Sequence, residues 1–204
     1  MLVVSFLKIK YTINKVYVRK RQKIQTSRKE RKEMSDIRKK QVALGVEDFK
    51  EIIDKGAYFV DKTLMIKKLI ESNAMVTLFT RPRRFGKTLN QFMIRRFFED
   101  EITEEGEEVD NGYLFDGLKI AECGEEILKH QQQYPVIFMT LKSAKQPNFE
   151  MAYGALADEI YNEFMRHRYV LQSDALLPIE KERYENLINR RAGKEELAKA
   201  FAFL

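Results

Sequence analysis

The sequence predicts an α/β fold. An apolar, partly β-branched run, AMVTLFT (74–80), leads into the loop RPRRFG (81–86), and KTLNQFMIRRFFED (87–100) follows with helical periodicity. A second apolar run, Val136, Ile137, Phe138 and Met139, has the length of a buried strand. Between and around these runs the apolar residues recur at helical spacing, so strands and helices alternate along the chain.

VEDFKEIIDKG (46–56) predicts a short helix. Phe49, Ile52 and Ile53 share one face, and Gly56 stands where a terminating glycine belongs. AYFVD (57–61) is a brief apolar run. DKTLMIKKLIESN (61–73) predicts an amphipathic helix carrying Leu64, Ile66, Leu69 and Ile70, with Asp61 or Thr63 as its N-cap. AMVTLFT is then a buried strand, too short for a helix. Pro82 prevents regular structure in the loop after it, and Gly86 admits unusual backbone angles. In the next helix Leu89, Phe92, Met93, Phe97 and Phe98 form the buried face.

Residues 99–111 form an acidic, solvated linker, and the helix EEILKHQQQ (125–133) precedes the second strand. The stretch 149–170 predicts a long amphipathic helix. Residues 181–204 predict two more, hinged near Gly193. No internal repeat is present.

The charge is uneven. The formal net charge is +6, yet residues 1–40 hold 14 Lys/Arg against 3 Asp/Glu, and the remainder is acidic. The basic character therefore belongs to the N-terminal extension (1–40), not to the globular part (41–204). Two readings of that extension stand: a basic arm for nucleic acid or another acidic surface, or upstream sequence before a true start at Met34, with RKERKE encoded by a purine-rich ribosome-binding stretch. The single Cys123 forms no internal disulfide, which suits a reducing compartment. His130 and His167 lie in polar helical contexts and are assigned to the surface. No apolar run is long enough to span a membrane. A cytoplasmic protein is expected.

Loop 81–88 carries the chemistry. Phosphate binding needs a strand, a loop with inward-turned N–H groups, and a helix whose N-terminus faces the ligand. Gly86 lets the backbone approach a phosphate without a Cβ clash. Lys87 reaches the β- and γ-oxygens, and Thr88 offers its hydroxyl to Mg²⁺ while opening the helix. Arg83, Arg84 and Phe85 complete the binding set. The two guanidinium groups either add charge beside the phosphates or stand solvated on the loop.

VEDFKEII, GAYFVDKTLMIKKLI, TLFTRPRRFGKTLNQFMIRRFFE, LFDGLKI and YPVIFMTLKS, in this order, resemble the AAA-ATPase-like family of prokaryotic proteins, from about residue 43 to 204. RPRRFGKT is the most specific element, and in that family an arginine in place of the first glycine (here Arg81) is normal. YFVDKT (58–63) is a second shared block. The resemblance implies a P-loop NTPase fold, an AAA-like three-layer sandwich, with ATP and Mg²⁺ held at Gly86, Lys87 and Thr88. Members often add a C-terminal PD-(D/E)XK nuclease-like domain. The resemblance places the acidic strand needed for hydrolysis just beyond residue 204.

Hydrolysis needs an apolar strand ending in Asp with a neighbouring carboxylate. VIFMTLKS ends without an acid, YLFD (113–116) has a short apolar run, and AYFVD precedes the loop. The expectation is an N-terminal fragment that binds ATP and cannot hydrolyse it alone. Its sheet would be incomplete, so it would be poorly soluble or depend on a partner such as the remaining ATPase or nuclease-like domain. The alternatives are a nucleic-acid-binding module using residues 8–40 and RPRR, and an inert truncated remnant.

Overall fold

The computed structural model describes residues 4–5, 41–72, 74–82, 85–103 and 106–203. The N-terminal extension, the choice between Met1 and Met34, and the side chains of Arg83 and Arg84 lie outside the described residues, apart from the pair at 4–5. The described residues fall into two compact units, one within Val3–Glu99 and Asp110–Tyr134, the other within Asp100–Val109 and Pro135–Leu204.

The first unit is assembled on three helices. In α1 (Phe49–Asp54), Asp48 caps the N-terminus by accepting from the Lys50 N–H at 2.8 Å. Gly56, at φ 58°, ends the helix in the left-handed region, as its position predicts. Helix α2 (Leu64–Glu71) buries Ile66 alone; Leu64 is exposed, and Leu69 and Ile70 are half-buried. Helix α3 (Lys87–Phe98) buries Met93, Ile94, Arg96, Phe97 and Phe98. The predicted face is rotated slightly, since Ile94 is buried while Leu89 and Phe92 are half-buried.

Phe115, from the 3-10 helix Gly112–Phe115, joins the helices. Its ring centroid lies 5.2 Å from those of Phe49 and Phe97, the latter edge-on. Each fully buried aromatic of this kind contributes about 1.5–3 kcal/mol of burial, and the cluster ties α1 and α3 into one core. Residues 132–134 turn back over the end of α3, where the N–H groups of Gln132, Gln133 and Tyr134 donate to Phe97 and Phe98 carbonyls. The short helix α4 (Glu125–Leu128) precedes that turn.

The second unit is helical. Helix α5 (Phe149–Arg166) is capped by Asn148, whose side chain accepts from the Met151 N–H at 2.9 Å. It packs on α6 (Pro178–Ile188) through Ala157, Phe164, Tyr184 and Leu187, joined by Leu197 of α7 (Lys194–Ala198) and Ala200 of α8 (Ala200–Phe203). Gly193 sits at the start of α7, where a break is predicted.

Neither predicted strand forms as a buried sheet element. In the run 74–80 the strand β2 is only Val76–Thr77. It pairs antiparallel with β1 (Val4–Ser5), in the register Val4 to Thr77 and Ser5 to Val76. Met75, Val76 and Leu78 are 88%, 61% and 51% exposed. A strand apolar on both faces is buried only between two covering layers, and no parallel neighbour flanks it among the described residues.

The run 136–139 forms no strand. Side chains of the second unit supply the hydrogen bonds that a neighbouring strand would make. Glu163 accepts from the Phe138 N–H, and the Val136 carbonyl accepts from Arg166 and from His167 Nε2 at 3.1 Å. The α/β sandwich is thus not formed among the described residues, although the helices predicted around it are.

Two local expectations also change. His167 is buried (3% exposed), not on the surface; its ring bridges the Val136 carbonyl and the Tyr169 hydroxyl, so its polarity is satisfied inside. The acidic linker starts in the interior: Glu99 is 1% exposed and pairs with Arg95 at 2.6 Å, because the last turn of α3 brings Arg95 alongside it. None of the described helices is long and apolar enough to cross a membrane.

Candidate functional site

The loop and helix predicted to hold phosphate are adjacent in the first unit. Gly86 occupies the N-cap of α3 at φ 71°, ψ 26°, a left-handed conformation that costs a residue with a Cβ about 1 kcal/mol or more. Its carbonyl already accepts the first helical bond, from the Asn90 N–H at 2.9 Å. The N–H groups of Lys87 and Thr88 have no acceptor among the described residues, as the first turn of any helix leaves its donors open. The twelve-residue helix adds roughly half a positive charge at that end.

Lys87 folds back over its own loop. Its ammonium donates to the Arg81 carbonyl and reaches the Pro82 carbonyl at 3.4 Å. The side chain is exposed, so the charge is held over the loop mouth rather than sunk in the core. Thr88 is half-buried at the first turn, while Phe85 is 59% exposed and packs little. Four of the six predicted binding residues, Phe85, Gly86, Lys87 and Thr88, are therefore placed together. Arg83 and Arg84 lie outside the described residues.

A second segment stands beside this loop, and sequence reasoning did not assign it to the site. The ammonium of Lys62 lies 3.9 Å from where a Cβ on Gly86 would be. Its neighbours anchor it. Asp61 Oδ1 accepts from both the N–H (2.8 Å) and the hydroxyl (2.6 Å) of Thr63, and Asp61 Oδ2 accepts from the Lys119 N–H at 2.8 Å. Thr63 is fully buried, and its hydroxyl oxygen accepts from the Ile120 N–H at 3.1 Å. Partial burial pushes the Asp61 carboxyl up, but the bonds from Thr63 and the Lys119 backbone outweigh it and hold the group below its usual range. Thr63 is the residue before α2, yet its hydroxyl serves Asp61 and Ile120 rather than capping the helix. The Asp-x-Thr spacing is the signal that could have found this turn.

The donor set fits a polyphosphate: open helical N–H groups, a glycine leaving room for close approach, and two ammonium groups at one loop. For Mg²⁺ the chain offers the Thr88 hydroxyl, and no cluster of three or more His, Cys, Asp or Glu with metal-binding geometry occurs among the described residues. Asp61 is already engaged by three donors, and Asp116, the acid of YLFD, is exposed beyond the 3-10 helix.

Comparison with protein families matches residues 43–198 to the AAA-ATPase-like family, described as "Predicted AAA-ATPase". Comparison with curated proteins and with solved structures gives no match. The family match spans well over half of the chain and includes the whole of loop 81–88. The chain belongs to the AAA-ATPase-like family.

Proposed function

We propose that the loop 80–88 binds Mg-ATP, and that this chain does not hydrolyse it unaided. The observation that carries the reading is the junction at Gly86. A left-handed glycine opens a long helix, and the next residue is a lysine whose ammonium lies across the loop. The phosphates would lie on the N–H groups of Lys87 and Thr88, with Lys87 exchanging its loop carbonyls for phosphate oxygens. Thr88 would contribute its hydroxyl to Mg²⁺, and Arg83 and Arg84 would add charge at the loop. Bound Mg²⁺ would neutralise phosphate charge. The absence of hydrolysis rests on the acids: the sequence has no apolar strand ending in a carboxylate pair after residue 88, and Asp61 is committed to Thr63 and Lys119.

The test is a thermal shift of the full chain with Mg-ATP. Ligand at a hundred times its Kd stabilises the native state by about 2.7 kcal/mol, and Lys87→Ala should abolish the shift. A shift that survives in Lys87→Ala, or that polynucleotide produces and Mg-ATP does not, refutes the proposal.

A further inference from the structure

We propose that Lys62 is a second phosphate-binding cation of this site, acting on the polyphosphate chain of the nucleotide opposite Lys87; the inference rests on the reading of loop 80–88 as the nucleotide site. Two features support it. The first is place: the Lys62 ammonium reaches the one backbone position of the loop that lacks a Cβ, 3.9 Å from where that atom would be. The second is its lack of a partner. Lys55 pairs with Glu51, Lys67 with Glu71 and Lys129 with Glu126, whereas the Lys62 ammonium has no hydrogen bond or ion pair among the described residues; only its backbone carbonyl is engaged, by the Met65 N–H at 2.9 Å. It brings a second uncompensated positive charge to a loop already covered by Lys87, an arrangement that favours an anion between them.

The backbone on either side of Lys62 is fixed. Asp61 is tied to Lys119, and Thr63 to both Asp61 and Ile120, with Thr63 wholly buried. Lys62 is the exposed residue of a pinned tripeptide. Its stem therefore starts from a set position, and less ordering is needed when phosphate binds. The other faces of the loop mouth present no competing carboxylate in the described contacts, since the Asp61 oxygens are taken up by Thr63 and Lys119.

The experiment is displacement of a fluorescent ATP analogue from the full chain by three competitors: Mg-ATP, inorganic tripolyphosphate and adenosine. Loss of one charge-assisted contact at an accessible site corresponds to about tenfold weaker binding. Lys62→Gln should weaken Mg-ATP and tripolyphosphate by about that factor and leave adenosine unchanged. Lys62→Arg should keep most of the affinity. Lys67→Gln, which removes a charge already paired with Glu71, should match the wild type. Lys62→Gln binding tripolyphosphate within twofold of wild type, while Lys87→Ala loses it, overturns the role of Lys62 and leaves the loop reading intact. Equal losses for adenosine and tripolyphosphate indicate a structural effect and also overturn it. No binding by the wild type overturns the loop reading and this inference with it.

Discussion

Thr63→Val removes one oxygen from the fully buried turn that holds Lys62 beside the loop. The replacement keeps the β-branched shape and nearly the same volume, so no cavity forms and the loss is polar. Two bonds go. The Ile120 N–H, bonded to the hydroxyl oxygen at 3.1 Å in a buried setting, is left without that acceptor, at a cost of about 1–3 kcal/mol. Asp61 loses a donor at 2.6 Å; because water reaches this half-buried carboxylate, the loss lies near the low end of about 1.5–3 kcal/mol for a charged bond. The expected total is about 3 kcal/mol. Thr63→Ser, which retains the oxygen and drops a methyl, should cost about 1 kcal/mol. Urea unfolding followed by circular dichroism gives the global values, and native-state hydrogen exchange at the Ile120 amide gives the local one. A Thr63→Val loss below about 0.5 kcal/mol, or one no larger than that of Thr63→Ser, refutes the argument that the hydroxyl is the joint between residues 61–63 and 119–120.

Tyr184→Phe should cost about 1 kcal/mol: its hydroxyl donates to the Phe164 carbonyl at 2.8 Å, but that carbonyl keeps a second donor, the His167 N–H at 3.1 Å. Burial raises the Tyr184 phenol above its ordinary value, so its contribution is full below about pH 10 and is lost as pH rises further; the phenylalanine variant should lack that alkaline loss in unfolding titrations. Asp61 and Glu163 behave in the opposite sense. Burial raises the Glu163 carboxyl, but His167, Arg166 and the Phe138 N–H together hold it below its usual range. Both acids stabilise the fold above their unfolded values of about 4, and that stability is lost as pH falls below there. Glu163→Gln should destabilise the protein at pH 7 by about 2 kcal/mol, less than a fully buried pair because Arg166 is 25% exposed, and should flatten the acid limb of the stability curve.

What the sequence made legible was local. The α1 helix and its terminating Gly56, the loop glycine before α3 and the long helix beginning at Phe149 each follow from a few adjacent residues. Strand formation was not legible in the same way, because an apolar run becomes a strand only when something pairs with it. Residues 136–138 spend their hydrogen bonds on Glu163, Arg166 and His167, about thirty positions away, and no period or propensity encodes that. The same pairing explains why His167 is interior although its immediate neighbours are charged. In the candidate site, Gly86, Lys87 and Thr88 were singled out by their spacing alone. Lys62 was not, since its nearness to Gly86 comes from bonds to Lys119 and Ile120, more than fifty residues further on.

This difference between local and distant parts bears on the proposed division between binding and hydrolysis. Everything proposed to hold phosphate lies on two short segments, 61–63 and 81–88, and both belong to the first unit. Phosphate affinity then depends on a glycine conformation, open N–H groups and two ammonium groups, none of which needs a completed sheet. Hydrolysis is more demanding. A carboxylate must be unpaired, placed near the terminal phosphate and basic enough to direct water. Asp61 fails the first condition by geometry and the last by electrostatics, because the donors that pin it also stabilise its charge and make it a poorer base. An acid able to act would have to come from an element with no such structural duty. On the proposed reading, nucleotide binding rests on loop 81–88 and on Lys62, which the bonds to Lys119 and Ile120 hold beside it, while hydrolysis would require a carboxylate other than Asp61 at the loop.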